Sequence, residues 1–234
     1  MKQPIAAPHT PDAFESGQPL DGRLIVGLSK IGLAMKSQAW SRAPAEGVTP
    51  TQAQILVLLR DRSEGARLSM IAEGLGITAP TASDAVASLV AKKLVVRGRD
   101  KQDARAARFR LSRSGAETAA RVSAWPDFLQ KAVSALDAGE QAVFLRALVK
   151  MIRTLQEAGD IPVQRMCVDC RFFRPHAHPD SRDRPHHCAF VDAPFGERHL
   201  RIDCADHETA AIEQRNHQWA RWLAGAASHL GERT

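Results

Sequence analysis

The amino-acid sequence predicts a mainly helical chain with one small β-hairpin and a loop-rich C-terminal segment that holds every cysteine. Three observations carry this expectation. Apolar residues recur at helical four-three-four spacing in two stretches, Leu24-Leu28-Ile31-Met35 and Phe144-Leu148-Met151-Leu155. Two strand-length runs, Leu94 to Arg99 and Ala106 to Ser112, flank a polar turn at residues 100–105. All four cysteines fall between Cys167 and Cys204. The 234 residues suit one domain with an appendage, divided as a flexible tail over 1–20, a helical and hairpin domain over 21–160, and a cysteine-rich segment with a terminal helix over 161–234.

The opening segment mixes Pro4, Pro8, Pro11 and Pro19 with small residues and shows no period, so it reads as a tail. Asp21 is placed to cap a first amphipathic helix running to about Trp40. Thr49, Pro50 and Gln52 supply a cap, a first-turn proline and a third-position Gln for a second helix to about Asp61, burying Ile55, Leu56 and Leu59. A short helix from Ser69 ends at Gly76. Thr78 caps the next, through Val86 and Leu89 to Lys93. Two short helices joined by Gly76-Ile77-Thr78 have the proportions of a helix-turn-helix. After the hairpin the pattern returns to helix, breaks at Trp125-Pro126, and restarts from the capping box Asp137 and Glu140 until Gly159. A final helix from about Asp206 carries Ile212, Trp219, Trp222, Leu223 and Leu230 on one broad face.

Lys and Arg exceed Asp and Glu by 32 to 26, giving a formal charge of +6 and favouring a polyanionic partner. The excess is concentrated. Between Lys92 and Arg113 nine residues are basic and two, Asp100 and Asp103, are acidic, a stripe suited to phosphate contact and to an arginine in the minor groove. The second helix of the motif fits a major groove about 12 Å wide, with Thr81, Ser83, Asp84 and Ser88 facing base edges. Arg97, Arg99, Lys101 and Arg105 follow on the hairpin, Arg97 and Arg99 sharing one face while Val96 points the other way. For Thr81 and Ser83 the alternative is that they only finish the N-terminal turn.

The residues Ile71-Ala72 with Leu75-Gly76-Ile77, Leu89 before the hairpin, Asp103-x-Arg105 at its tip, and Leu111-Ser112-Arg113-Ser114-Gly115 where Leu-Thr-x-x-Gly is usual resemble the MarR-type winged-helix repressors over about Asp21 to Gly159. The sequence departs from that pattern at Lys93, where Gly is frequent. The resemblance implies that Asp103 braces Arg105, and that the N- and C-terminal helices form a two-fold homodimer placing two recognition helices on a pseudo-palindromic operator in double-stranded DNA. An intramolecular role for the same apolar faces is the alternative. A small-molecule effector between the dimer helices and the DNA-binding lobe is a further possibility the resemblance raises.

The cysteines follow the order Cys167-x-x-Cys170, 17 residues, Cys188, 15 residues, Cys204. Four thiolates are soft ligands for tetrahedral zinc or for an iron–sulfur cluster, [4Fe-4S] or [2Fe-2S]. Structural zinc usually takes two close pairs, whereas here only one pair is close, so the spacing leans toward a cluster. It is also similar to that of high-potential iron–sulfur proteins, with aromatic residues, here Phe172-Phe173, just after the pair; the chain has no tyrosine, and no shared fold is inferred. Six histidines, His176, His178, His186, His187, His199 and His207, lie nearby, with His187 and His207 the first substitutes should a cysteine not ligate. Arg171, Arg174, Arg182, Arg184, Arg198 and Arg201 can offset thiolate charge.

No run approaches the roughly 20 apolar residues of a membrane span and no signal-peptide centre is present, so a cytoplasmic protein with no membrane partner is expected. No Gly-rich phosphate loop, Gly-x-Ser-x-Gly elbow or HExxH pair points to an enzyme. The expectation is a sequence-specific repressor modulated by an iron–sulfur centre that senses redox or iron state. The alternatives are a regulator with purely structural zinc answering a small aromatic ligand, and an electron-transfer protein whose winged helix serves protein contacts.

Overall fold

The computed structural model describes residues 19–99 and 106–230, with 226–230 as backbone. Residues 1–18 of the tail expected over 1–20, the hairpin tip with Lys101, Asp103 and Arg105, and the side chain of Leu230 lie outside the described residues. The chain divides at the Thr49–Pro50 junction into two compact units.

The first unit carries helix α1, Leu20–Arg42, and a 3-10 turn, Ala43–Glu46. The helix begins one residue before Asp21, which therefore sits in the first turn rather than at the cap. There its carboxylate accepts the Gly22 N–H at 2.8 Å and complements the positive helix end. No residue of α1 is buried, and Leu24, Ile25, Ile31, Leu33 and Met35 are all exposed.

The second unit opens with α2, Pro50–Arg60, which buries Gln52, Ala53, Ile55, Leu56 and Leu59. A two-residue strand β1, Ala66–Arg67, leads into α3, Leu68–Leu75. Gly76 ends α3 in the left-handed region at φ 62°, a conformation glycine adopts without Cβ strain. Thr78 then caps α4, Ala79–Ala91, its Oγ1 accepting the Thr81 N–H at 3.3 Å. The apolar face Ala82, Val86 and Leu89 of α4 packs inward with Ile55, Leu56, Leu59 and Ile71, all no more than 2% exposed. Each such burial is worth about 1.5–3 kcal/mol for a large aliphatic side chain.

Strands β2, Val95–Arg99, and β3, Ala107–Leu111, pair antiparallel with Arg97 opposite Phe109 and Arg99 opposite Ala107. β1 joins the other edge of β3, giving the order β1-β3-β2. β1 was not expected from sequence; two residues are too few to show a period. Lys93, entering the hairpin where glycine is frequent in the resembling family, is left-handed at φ 59°. Its carbonyl accepts the Ser112 hydroxyl at 2.7 Å, which holds that strained backbone in place. Ser112 also caps α5, Arg113–Ser123. At Gly115 an added Cβ would lie 1.8 Å from the Leu94 carbonyl oxygen, so the Leu-Ser-x-x-Gly stretch exists to bring α5 against the entry to the hairpin.

The expected break gives a 3-10 turn, Trp125–Asp127, and a short helix α6, Phe128–Val133. The Asp137–Glu140 capping box is formed at the start of α7, Ala138–Ala158. Phe144, Met151 and Leu155 are exposed, while the buried residues of α7 are Val149 and Arg153, on a different face.

Beyond α7 a second sheet forms from β4, Phe173–Arg174, β5, His186–Cys188, and β6, Ala193–Phe195, in the order β4-β5-β6. The last helix, α8, runs Ile212–Leu230, starting later than expected because residues 208–210 are tied elsewhere: Arg171 N–H donates to the Glu208 carbonyl and Ala210 N–H to that of Asp169. Val149, Met166, Val168, Cys170, Phe173, Leu200 and Trp222 make one core. Ile212, expected on that face, is 68% exposed. No helix among the described residues is long and apolar enough to cross a membrane.

Candidate nucleic-acid interface and thiol site

On α4 the outward residues Ala79, Pro80, Thr81, Ser83, Asp84 and Ala87 are exposed and mostly small, so the helix backbone can approach a groove floor closely. Ser83 and Asp84 are exposed and free of the core, and a carboxylate can accept from a cytosine amino group. Thr81 has a second task, its hydroxyl 2.8 Å from that of Thr78 in the cap. Ser88 differs from expectation. It is half-buried and its Oγ accepts from Gln52 Nε2 at 2.9 Å, while Lys92 Nζ donates to Gln52 Oε1 at 2.7 Å. Gln52 therefore fixes α4 onto α2. Arg97 and Arg99 are exposed on β2, and Val95, buried at the base of the same strand, anchors it to the core.

These elements define a winged helix-turn-helix. A sequence profile of the MarR family matches residues 46–106. The S. aureus MepR–DNA complex is 28% identical, with all of its chain and 59% of this one covered and a TM-score of 0.51. S. aureus MepR in its DNA-binding conformation is 29% identical over 57% of this chain and 98% of its own, with a TM-score of 0.52. A MarR-family transcriptional regulator from Silicibacter pomeroyi shares the fold at 22% identity, covering 63% of this chain and 96% of its own at a TM-score of 0.51. No curated protein matches the chain. Over its N-terminal part the chain belongs to the MarR family of DNA-binding transcription regulators.

The thiol site is built on segments these matches do not explain. Cys167 opens a 3-10 turn, Cys167–Asp169, and Cys170 closes it. Cys188 ends β5, opposite Phe173 of β4. Cys204 lies in the loop before α8. All four are free thiols, and all four line one cavity of about 160 Å³ whose other walls include Phe172, Phe173, Phe190 and Phe195. Burial, with the neighbouring thiols adding to it, pushes the Cys167 thiol up to about 11. Two donors aim at the sulfurs: Arg201 N–H to Cys167 Sγ at 3.3 Å, and Arg201 Nη1 to Cys204 Sγ at 3.4 Å. The second contact, charge-assisted, raises the Arg201 pKa. Among the described residues no group of three or more His, Cys, Asp or Glu side chains is arranged to hold a metal ion.

Of the nearby histidines only His199 lines the cavity. His187 turns to His178, 3.1 Å away, and to Asp192 at 3.2 Å. Burial lowers the His207 pKa, and its Nε2 is buried without a hydrogen-bond partner. His186, fully buried, contacts Glu197 Oε1 at 3.1 Å, as do Trp222 Nε1 and Arg146 Nη1, each at 3.0 Å. Burial is the largest influence on Glu197 and opposes ionisation, but His186 and Arg146 outweigh it and lower its pKa. Of the arginines expected near the cysteines, Arg201 alone donates to a sulfur in the described contacts, whereas Arg171 pairs with Glu208 at 2.9 Å.

Sequence reasoning missed the clamp between this site and α7. Arg153, 2% exposed, pairs with Asp169, fully buried inside the Cys167–Cys170 turn. Gln156 Nε2 donates to the other Asp169 oxygen at 2.9 Å, and Arg153 Nη2 to Asn216 of α8 at 3.2 Å. Nearby, the Arg146 guanidinium stacks 4.4 Å from the centre of the Trp222 ring. The available signal was Arg146, Val149 and Arg153 at helical spacing, an inward face that two arginines disguise.

Proposed function

We propose that this protein is a cytoplasmic, homodimeric repressor that binds a pseudo-palindromic operator and whose affinity follows the state of an iron–sulfur cluster ligated by Cys167, Cys170, Cys188 and Cys204. The reading is carried by four free thiols lining one cavity of about 160 Å³. Four thiolates and a largely apolar wall suit a polynuclear cluster. A lone zinc, with Zn–S bonds of about 2.3 Å, needs its sulfurs drawn to one point. The Arg201 donors to Cys167 and Cys204 are of the kind that tune cluster potential. Such a cluster would supply one-electron chemistry and, with it, a charge change at the thiolates.

DNA reading is assigned to Ser83, Asp84 and the arginines of the hairpin, and dimerisation to the exposed apolar faces of α1 and of Phe144, Met151 and Leu155 on α7. The clamp at Arg153 and Asp169 supports regulation, because it joins a cysteine turn to the helix assigned to the dimer. The protein acts through binding and not through turnover. Anaerobic purification with iron, sulfide and zinc analysis tests the assignment. A brown protein with matching iron and acid-labile sulfide supports it. A colourless protein with stoichiometric zinc replaces it with a structural site.

A further inference from the structure

The four-cysteine site also reaches the helix-turn-helix lobe, at the end of α2. Segments 165–167 and 201–204 run side by side and carry two of the four cysteines: Cys204 N–H donates to the Arg165 carbonyl at 3.1 Å, and Cys167 N–H to that of Arg201 at 3.0 Å. The Arg165 side chain leaves this ladder. Its Nε pairs with Asp203, next to Cys204, at 2.6 Å, and its Nη2 reaches Asp61 at 3.5 Å. Asp61 immediately follows α2, and the Arg62 guanidinium lies in the field of the same three charges.

Helix α2 is the connection onward. At its first turn Gln52 holds Ser88 and Lys92, at the far end of the recognition helix α4. At its last turn Asp61 is held by Arg165. A helix of eleven residues is a stiff rod of roughly 16 Å. It lies between the thiol ladder and the DNA-reading helix with a polar grip at each end.

We propose that Arg165 is the coupling residue through which the thiol site biases the recognition helix, by the relay Cys204–Asp203–Arg165–Asp61–α2–Gln52–α4. The inference rests on the reading of the cysteines as a regulatory centre and adds the route. The element with two arrangements is the 201–204 segment, held when Cys204 is a ligand and released when it is not. An exposed ion pair adds little stability on its own, but here one guanidinium joins two carboxylates on segments far apart in sequence, so its loss cuts the link without opening either core.

Linkage is reciprocal: if the cysteine segment biases DNA binding, DNA must bias the cysteine segment. The test uses full-length protein as purified, with and without an operator duplex selected from a randomised pool, and follows iodoacetamide alkylation at Cys204 by mass spectrometry. In the wild type, DNA should change the Cys204 rate by about fivefold, the size one ion-pair link can carry. In Arg165→Ala this change should vanish. In Asp61→Asn, which leaves the Arg165–Asp203 pair in place, it should also vanish while the DNA-free rate stays at the wild-type value. A wild type insensitive to DNA, or variants that respond as the wild type does, would overturn the coupling. Iron and sulfide measured on the same samples separate the two readings, since a metal-free protein with an Arg165-dependent response sinks the cluster and upholds the route.

Discussion

The helix-turn-helix lobe and the thiol lobe of the second unit are held together in opposite ways. The first is closed by aliphatic side chains, Ile55, Leu56, Leu59, Ile71, Val86 and Leu89, each no more than 2% exposed. The second buries Arg153, Asp169, His186 and Gln218 beside Trp222 and Met166, and keeps a cavity lined by thiols. Apolar packing is non-directional and forgiving, whereas a buried polar network is stable only when complete. The DNA-reading lobe is thus self-sufficient. The thiol lobe depends on its pairing being complete, which suits the regulatory part proposed for it.

The comparison breaks most visibly at the buried ion pair. Arg153→Ala leaves the Asp169 carboxylate buried without its main partner and should cost about 3–5 kcal/mol, measured by urea unfolding followed by Trp fluorescence. A loss below about 1 kcal/mol would show that the network is not what holds the lobe. On the other side, Gly115→Ala forces a Cβ against the Leu94 carbonyl and should cost about 1–3 kcal/mol, with the rate of proteolysis between Val163 and Asp206 unchanged. If that substitution opens the thiol lobe to protease, the lobes are less independent than the packing indicates.

The pH response of the metal-free protein sharpens the contrast. The Cys167 pKa is raised in the folded state, to about 11, so folding favours its protonated form. The stability this contributes is present below the unfolded thiol value near 9 and is lost as pH rises from there through about 11. Proteolysis between Val163 and Asp206 should therefore accelerate over that window while the helix-turn-helix lobe resists, and Cys167→Ala should flatten the dependence. Two smaller effects belong to the DNA lobe. Arg97→Ala should weaken binding to all sequences alike and lower the salt slope by about one, as a phosphate contact does; a change in sequence preference would make it a base contact. Lys93→Gly relieves a left-handed residue and should raise stability by roughly 0.5–1 kcal/mol, and a loss would mean that the Lys93 side chain has a structural partner.

Sequence patterns revealed the DNA lobe almost element by element, because its helices are long enough to show a period and their boundaries are chemical: Gly76 as a stop, Thr78 and Asp137 as starts. The departure at Lys93 also proved informative, since the residue adopts the backbone conformation its glycine counterpart would favour. The thiol lobe was legible only as four cysteines. Its strands are two or three residues long, below the length at which alternation shows, and its anchor on α7 contains arginines at inward positions. Ser88 misled because a serine on a recognition helix looks the same in sequence whether it faces a base or, as here, a glutamine from α2.

Helix α7 is a wall shared by two rooms. Cut after Gly159, the chain would keep every described residue of the DNA-reading motif, yet it would strip Val149 and Arg153 of the side chains that bury them, Met166, Trp222 and Asp169 among them. The exposed strip would be apolar and charged at once, on the helix whose other face is already open. The C-terminal lobe therefore cannot be trimmed away without leaving the inner face of α7 uncovered.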